Sequence, residues 1–116
     1  MKKLASVLTG VCFLTVPFCA AAAAKDMTAD VVHWWTSGSE AKSISVIAKA
    51  FEAKGGGWKD SAVVGGSAAR ASAINRIMGG EPPAAMQWNL GVDLTNLAGQ
   101  GMLASVDSVA NSGKWN

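Results

Sequence analysis

The sequence predicts an α/β domain built on a parallel sheet, and three observations carry that prediction. Short apolar runs alternate with helix-period stripes from Asp30 onward, glycine clusters separate them, and half of the 116 residues are hydrophobic. The order strand, helix, strand, helix, strand calls for crossover connections, hence parallel strands with helices on the sheet faces. Only 16% of residues are charged, which excludes a disordered chain, and the length fits one domain.

The first segment stands apart from that pattern. Lys2 and Lys3 precede the apolar stretch Leu4 to Val16, Pro17 breaks it, and Ala20 to Ala24 offer small-residue cleavage sites. Cationic start, apolar centre and small-residue end make residues 1–24 a secretory signal peptide, cut after Ala23 or Ala24. A membrane anchor is the alternative, since Leu4 to Ala24 is long enough to span a bilayer, but Pro17 and the alanines oppose it. Cys12 and Cys19 both lie in this segment, and Val16-Pro17-Phe18 lacks the small residues that lipidation of Cys19 needs. The remainder, residues 25–116, has no cysteine and hence no disulfides or thiolate metal ligands.

Val31 to Trp35, β-branched and aromatic apart from His33, reads as a strand buried on both faces. Ser37 and Glu40 then stand at capping-box spacing, with Ser39 as an alternative cap. Ile44, Ile47, Ala48 and Phe51 make one helical stripe, which Gly55-Gly56-Gly57 ends. A second strand follows at Ser61 to Val64, then a turn at Gly65-Gly66-Ser67. The next helix shows Ala71, Ile74 and Met78 as its inner face and stops at Gly79-Gly80. Glu81-Pro82-Pro83 forces a turn, Ala84 to Trp88 is the third strand, and helices follow at Val92 to Ala98 and Val106 to Trp115.

Charge and motifs exclude several functions. The formal charge of +2 comes from Lys2 and Lys3; the rest of the chain balances, leaving no basic footprint for nucleic acid. No G-x-S-x-G elbow, Walker motif or G-x-G-x-x-G is present, and the lone His33 makes neither a triad nor a metal site. No cofactor, metal or catalytic residue is expected, and the chain is read as a non-enzyme.

In open α/β sheets, ligands bind outside the carboxyl ends of the strands. That rule selects the loops Trp34 to Glu40, Gly65 to Ser67 and Gln87 to Gly91. Indole faces pack on the C–H faces of sugars, while a carboxylate or amide meets their hydroxyls. Trp34, Trp35, Glu40, Gln87 and Asn89 are therefore the candidate carbohydrate-binding residues. Each has a plainer alternative: Trp34 or Trp35 under a helix, Glu40 as a helix-dipole partner, Gln87 and Asn89 as strand-end hydrogen-bond partners.

At these residues the chain resembles the periplasmic solute-binding proteins of ABC sugar importers, most of all the glucose- and mannose-binding members. The matching elements are VVHWWTSGSE, the helix ending at Phe51, WKDSAVVGG and INRIMGGEPPAAMQWN. The resemblance implies a periplasmic, monomeric receptor for a monosaccharide such as glucose or mannose, working with membrane permease subunits. It also implies that Trp34, Trp35, Glu40, Gln87 and Asn89 line the sugar cleft. Two positions depart from the family pattern: Ala84 replaces a usual acid, and Asn89 replaces a longer cationic or imidazole side chain. Family members are two-lobed and much longer, so residues 25–116 are expected to form an incomplete first lobe of the type II-like fold. The competing reading is a small secreted α/β domain acting through protein contacts; a carbohydrate-active enzyme ranks below both, for want of a second positioned carboxylate.

Overall fold

The computed structural model describes residues 27–115, so the signal-peptide segment with Cys12 and Cys19 lies outside the described residues. Three parallel strands, β1 (Thr28–His33), β2 (Gly57–Ala62) and β3 (Ala85–Met86), are ordered β2-β1-β3. Helix α1 (Gly38–Glu52) joins β1 to β2, and α2 (Gly66–Met78) joins β2 to β3. Helices α3 (Val92–Gly99) and α4 (Asp107–Ser112) follow. The α/β class and the parallel sheet are as the sequence predicts.

The central strand is the apolar one. Val31, Val32 and His33 are all buried, because β1 is paired on both edges and faced by a helix on each side. The crossover from β1 to β2 and the one from β2 back past β1 to β3 run in opposite directions across the sheet, which puts α1 and α2 on opposite faces when both are right-handed. Alternate β1 residues accordingly face different neighbours. Val32 packs with Ala69 and Ala73 of α2, joined by Trp34, Val63 and Met86. Val31, His33 and Trp35 instead border a hollow shared with Ile44 and Ile47 of α1.

Several boundaries differ from the sequence reading. Strand β1 runs 28–33, so Trp34 and Trp35 lie just past its end. Strand β2 starts at Gly57, well before Ser61, because an edge strand needs only one protected side and tolerates Lys59 and Asp60. Strand β3 is two residues long, although the Ala84 and Gln87 amides extend its bonding to Asp30 and Val32 carbonyls. The last helix is confined to 107–112.

The inner face of α2 is also corrected. Met78 is exposed and Ala71 lies outward, while Ala69 and Ala73 are fully buried. Small side chains four residues apart let the helix axis approach the sheet closely, so alanine marks this contact and the larger residues flank it. Helix α1 starts after Ser37, but no side-chain cap bond forms there, so the predicted capping box is absent.

Candidate functional site

The strand order makes β1 and β3 neighbours whose following loops leave toward different elements, which defines the switch point of the sheet. Residues just past these two strands are brought together there. The Gln87 side-chain carbonyl accepts the Trp34 backbone N–H at 3.0 Å, tying the two strand ends. Gln87 thus acts as a strand-end brace through its oxygen, while its amide N–H groups remain as donors.

Trp34 turns toward α2. The Arg70 guanidinium lies 5.7 Å from its ring and equally 5.7 Å from the ring of Trp88. Two indoles at adjacent strand ends therefore sandwich one cation, within the range of cation–π attraction. The turn into α2 passes close to this group. Gly65 has φ +85, and a side chain on Gly66 would meet both Trp34 and the Arg70 guanidinium at 3.4 Å. Asn89 is exposed beside this group, and with Arg70, Trp88 and Asp93 it borders a hollow of ≈290 Å³.

Trp35 is separated from Trp34 by the sheet. It is half-buried on the α1 side, where it borders a second hollow of ≈280 Å³ with Ile44, Ala48, Trp58 and Asp60. Its backbone is set by His33. The Trp35 N–H donates to His33 Nδ1 at 3.2 Å, which leaves Nε2 to donate to Asp60 at 2.5 Å. Both ring nitrogens are thus occupied and one neutral tautomer is selected.

Glu40 is exposed in the first turn of α1 and makes no hydrogen bond among the described residues. Its carboxylate is engaged neither in capping nor in an ion pair. Of the five residues expected to line a cleft, Trp34 and Asn89 lie beside Arg70, while Gln87, tied to the Trp34 backbone, borders the α1-side hollow with Trp35.

Sequence reasoning missed Arg70, Trp88 and Asp93. Arg70 was the readable one: it lies one helical turn after the Gly65-Gly66 loop that the strand-end rule selects. A wider hollow of ≈640 Å³ runs along the outer side of α2 by Ser72, Asn75 and Glu81, away from the strand ends and without an aromatic side chain. Among the described residues no three His, Cys, Asp or Glu side chains gather as metal ligands.

Below the site, Asp30 fixes α2 to the sheet. Its carboxylate accepts two bonds from Arg76, at 2.8 and 3.2 Å, one from Ser61 at 2.6 Å, and pairs with Lys59 at 2.7 Å. The Arg76 guanidinium first, then Lys59 and Ser61, hold the Asp30 carboxyl well below the usual carboxylate range.

No family model matches the chain. Comparison with curated proteins gives relatives whose names agree with one another. A probable sugar-binding periplasmic protein of Brucella suis is 38% identical over 118 residues, covering 99% of this chain and 28% of that protein. Proteins of the same name from Rhizobium meliloti and Mesorhizobium japonicum are 38% and 31% identical, over 92% and 97% of this chain. The chain spans little more than a quarter of the length of these relatives.

Proposed function

We propose that residues 25–116 form part of the first lobe of an extracytoplasmic carbohydrate receptor that delivers a sugar to an ABC importer. The observation that carries this reading is the switch-point crevice, where Trp34, Trp88 and Arg70 converge beside Asn89 and Gln87 ties the two strand ends. Stacking surfaces next to amide and guanidinium donors match the alternating C–H and hydroxyl faces of a sugar. Relatives named as sugar-binding periplasmic proteins support the same class, and they support a periplasmic location. The work done is binding and handover, with no bond made or broken. The ligand is a monosaccharide of the glucose or mannose type, export removes residues 1–24, and a second lobe closes over the sugar to exclude water.

Glu40 completes the site as an acceptor of charge-assisted hydrogen bonds from sugar hydroxyls, for which its uncommitted carboxylate leaves it free. The test is sugar titration of the protein encoded by the complete reading frame, recovered from the periplasm with its N-terminus at Ala24 or Lys25. Glu40→Gln keeps the shape and removes the charge, so affinity falls about ten- to a hundredfold while the melting temperature holds. Unchanged affinity with a lower melting temperature returns Glu40 to a helix-end role, and absence of any sugar binding overturns the reading.

A further inference from the structure

The two arginines of α2 are treated very differently by the fold. Arg76 is committed through all three of its nitrogens: Asp30 takes two of its N–H groups and the Glu81 carbonyl a third, at 3.3 Å. Arg70 is half-buried, pairs with no carboxylate among the described residues, and has one long bond, 3.5 Å, to the Ser67 hydroxyl. A guanidinium carries five N–H donors and no acceptor. Most of those on Arg70 are therefore uncommitted, although the indoles of Trp34 and Trp88 hold its plane in position. Burying such a group further, as closure of a cleft does, is costly unless acceptor oxygens arrive with the closure.

The hollow beside it supplies complementary chemistry. Its border combines the Arg70 donors, the Asn89 amide and Asp93, whose carboxylate only accepts. A hydroxyl, which both gives and takes, satisfies a donor-only and an acceptor-only neighbour together. The volume, ≈290 Å³, matches the small end of ligand sites and suits a single sugar ring. The opposite charges of Arg70 and Asp93 leave the hollow without net charge, so a ligand carboxylate drawn to Arg70 is repelled by Asp93.

We infer that Arg70 is a ligand-contacting, specificity-determining residue, and that it and Asp93 grip a hydroxyl pair of a neutral sugar. This rests on the carbohydrate-binding reading above and adds to it a donor and an acceptor outside the five candidate residues. Trp88 and Trp34 orient the guanidinium before the ligand arrives, so little side-chain freedom is lost on binding.

The test uses the same exported protein and a panel of neutral hexoses, their monodeoxy analogues and the matching uronic acids. Variants are Arg70→Met, Arg70→Lys and Asp93→Asn, with Glu40→Gln beside them and thermal melts to show that each folds. Arg70→Met is expected to weaken the best hexose about tenfold or more, and Arg70→Lys less. One monodeoxy analogue should bind the unaltered protein correspondingly weakly, yet lose nothing further in Arg70→Met, because the missing hydroxyl and the missing donor are partners. Equal weakening across every analogue makes Arg70 a structural residue and overturns the inference. So does full affinity in Arg70→Met when Glu40→Gln has lost it, an outcome that leaves the carbohydrate reading standing. A uronic acid bound more tightly than its hexose overturns the neutral-sugar assignment. Failure of the unaltered protein to bind any sugar removes both readings together.

Discussion

The two faces of the sheet are built to different standards. On one, Asp30, Val32 and Trp34 of the β1 segment each meet α2: Arg76, then Ala69 and Ala73, then Arg70. Ala73 has 0% exposure and Val32 only 2%. On the other face α1 buries no residue fully, and Ile47 remains 51% exposed. There Val31, Trp35, Ile44 and Trp58 surround a largely apolar hollow of ≈350 Å³. The tight face is the one that carries the arginine sandwich and the tie between strand ends. The close α2 contact gives that cluster a rigid base, which the proposed binding role of Arg70 requires.

The contrast is broken most directly by adding volume at matched helix positions. Ala73→Leu forces an isobutyl group into filled space between α2 and Val32, and is expected to cost about 2–3 kcal/mol or to prevent folding. Ala48→Leu on α1 enters the hollow by Trp35 and Ile44 and should change stability by no more than about 0.5 kcal/mol. Urea unfolding of both variants decides. Equal losses at the two sites would show that the faces are packed alike.

A smaller effect sharpens the electrostatic side of the same comparison. Asp30→Asn leaves Arg76 and Ser61 facing an uncharged amide and is expected to cost about 1–2 kcal/mol, with the exposed Lys59 contributing little. The pH dependence has a definite sign. The folded-state pKa of Asp30 is depressed, so its contribution is complete above the unfolded value of 3.8 and fades as pH falls below it. Melting temperatures from pH 7 to 2 should fall less steeply for Asp30→Asn than for the parent. Parallel curves would show that Asp30 is not what acid weakens.

How legible all this was in the sequence follows the same division. Strand β1 was readable because burial on both faces demands continuous apolar residues, and α1 because its stripe has helical period. Strand β2 was misplaced because GWKDSA sits at an edge, where polar side chains are tolerated and leave no apolar signature. The α2 contact escaped because close approach selects alanine, which a search for large apolar residues passes over. The candidate site was partly legible: the strand-end rule selects Trp34 and Asn89, which the fold places beside Arg70, and Gln87, which ties the strand ends. Arg70 was within reach of that rule, one helical turn past Gly65-Gly66, but its pairing with Trp88 needed the third dimension, since the two meet only where α2 crosses the β1–β3 junction. Splitting Trp34 from Trp35 needed only the alternation of strand side chains, which carries neighbours to opposite faces.

His33 tests whether the looser face is nevertheless specified. It is 2% exposed on the side where α1 buries nothing fully, and its two nitrogens do separate jobs. Asn at this position can place its side-chain oxygen near the site of Nδ1 and keep the Trp35 N–H bonded, while losing Asp60. Gln extends further, can reach Asp60 with its amide, and abandons Trp35. Each loses one of the two bonds, so each should cost about 1 kcal/mol. The two differ in where the damage appears. With fluorotryptophan incorporated, the fluorine signal of Trp35 should move in His33→Gln and stay near its parent position in His33→Asn. The Trp34 signal should hold in both, because Gln87 secures that residue from β3. If the imidazole only fills space, the two variants will shift Trp35 alike and His33→Phe will be tolerated as well as either. A Trp35 response confined to the Gln variant would mean that one tautomer, selected by Asp60, sets the backbone where the chain leaves the sheet.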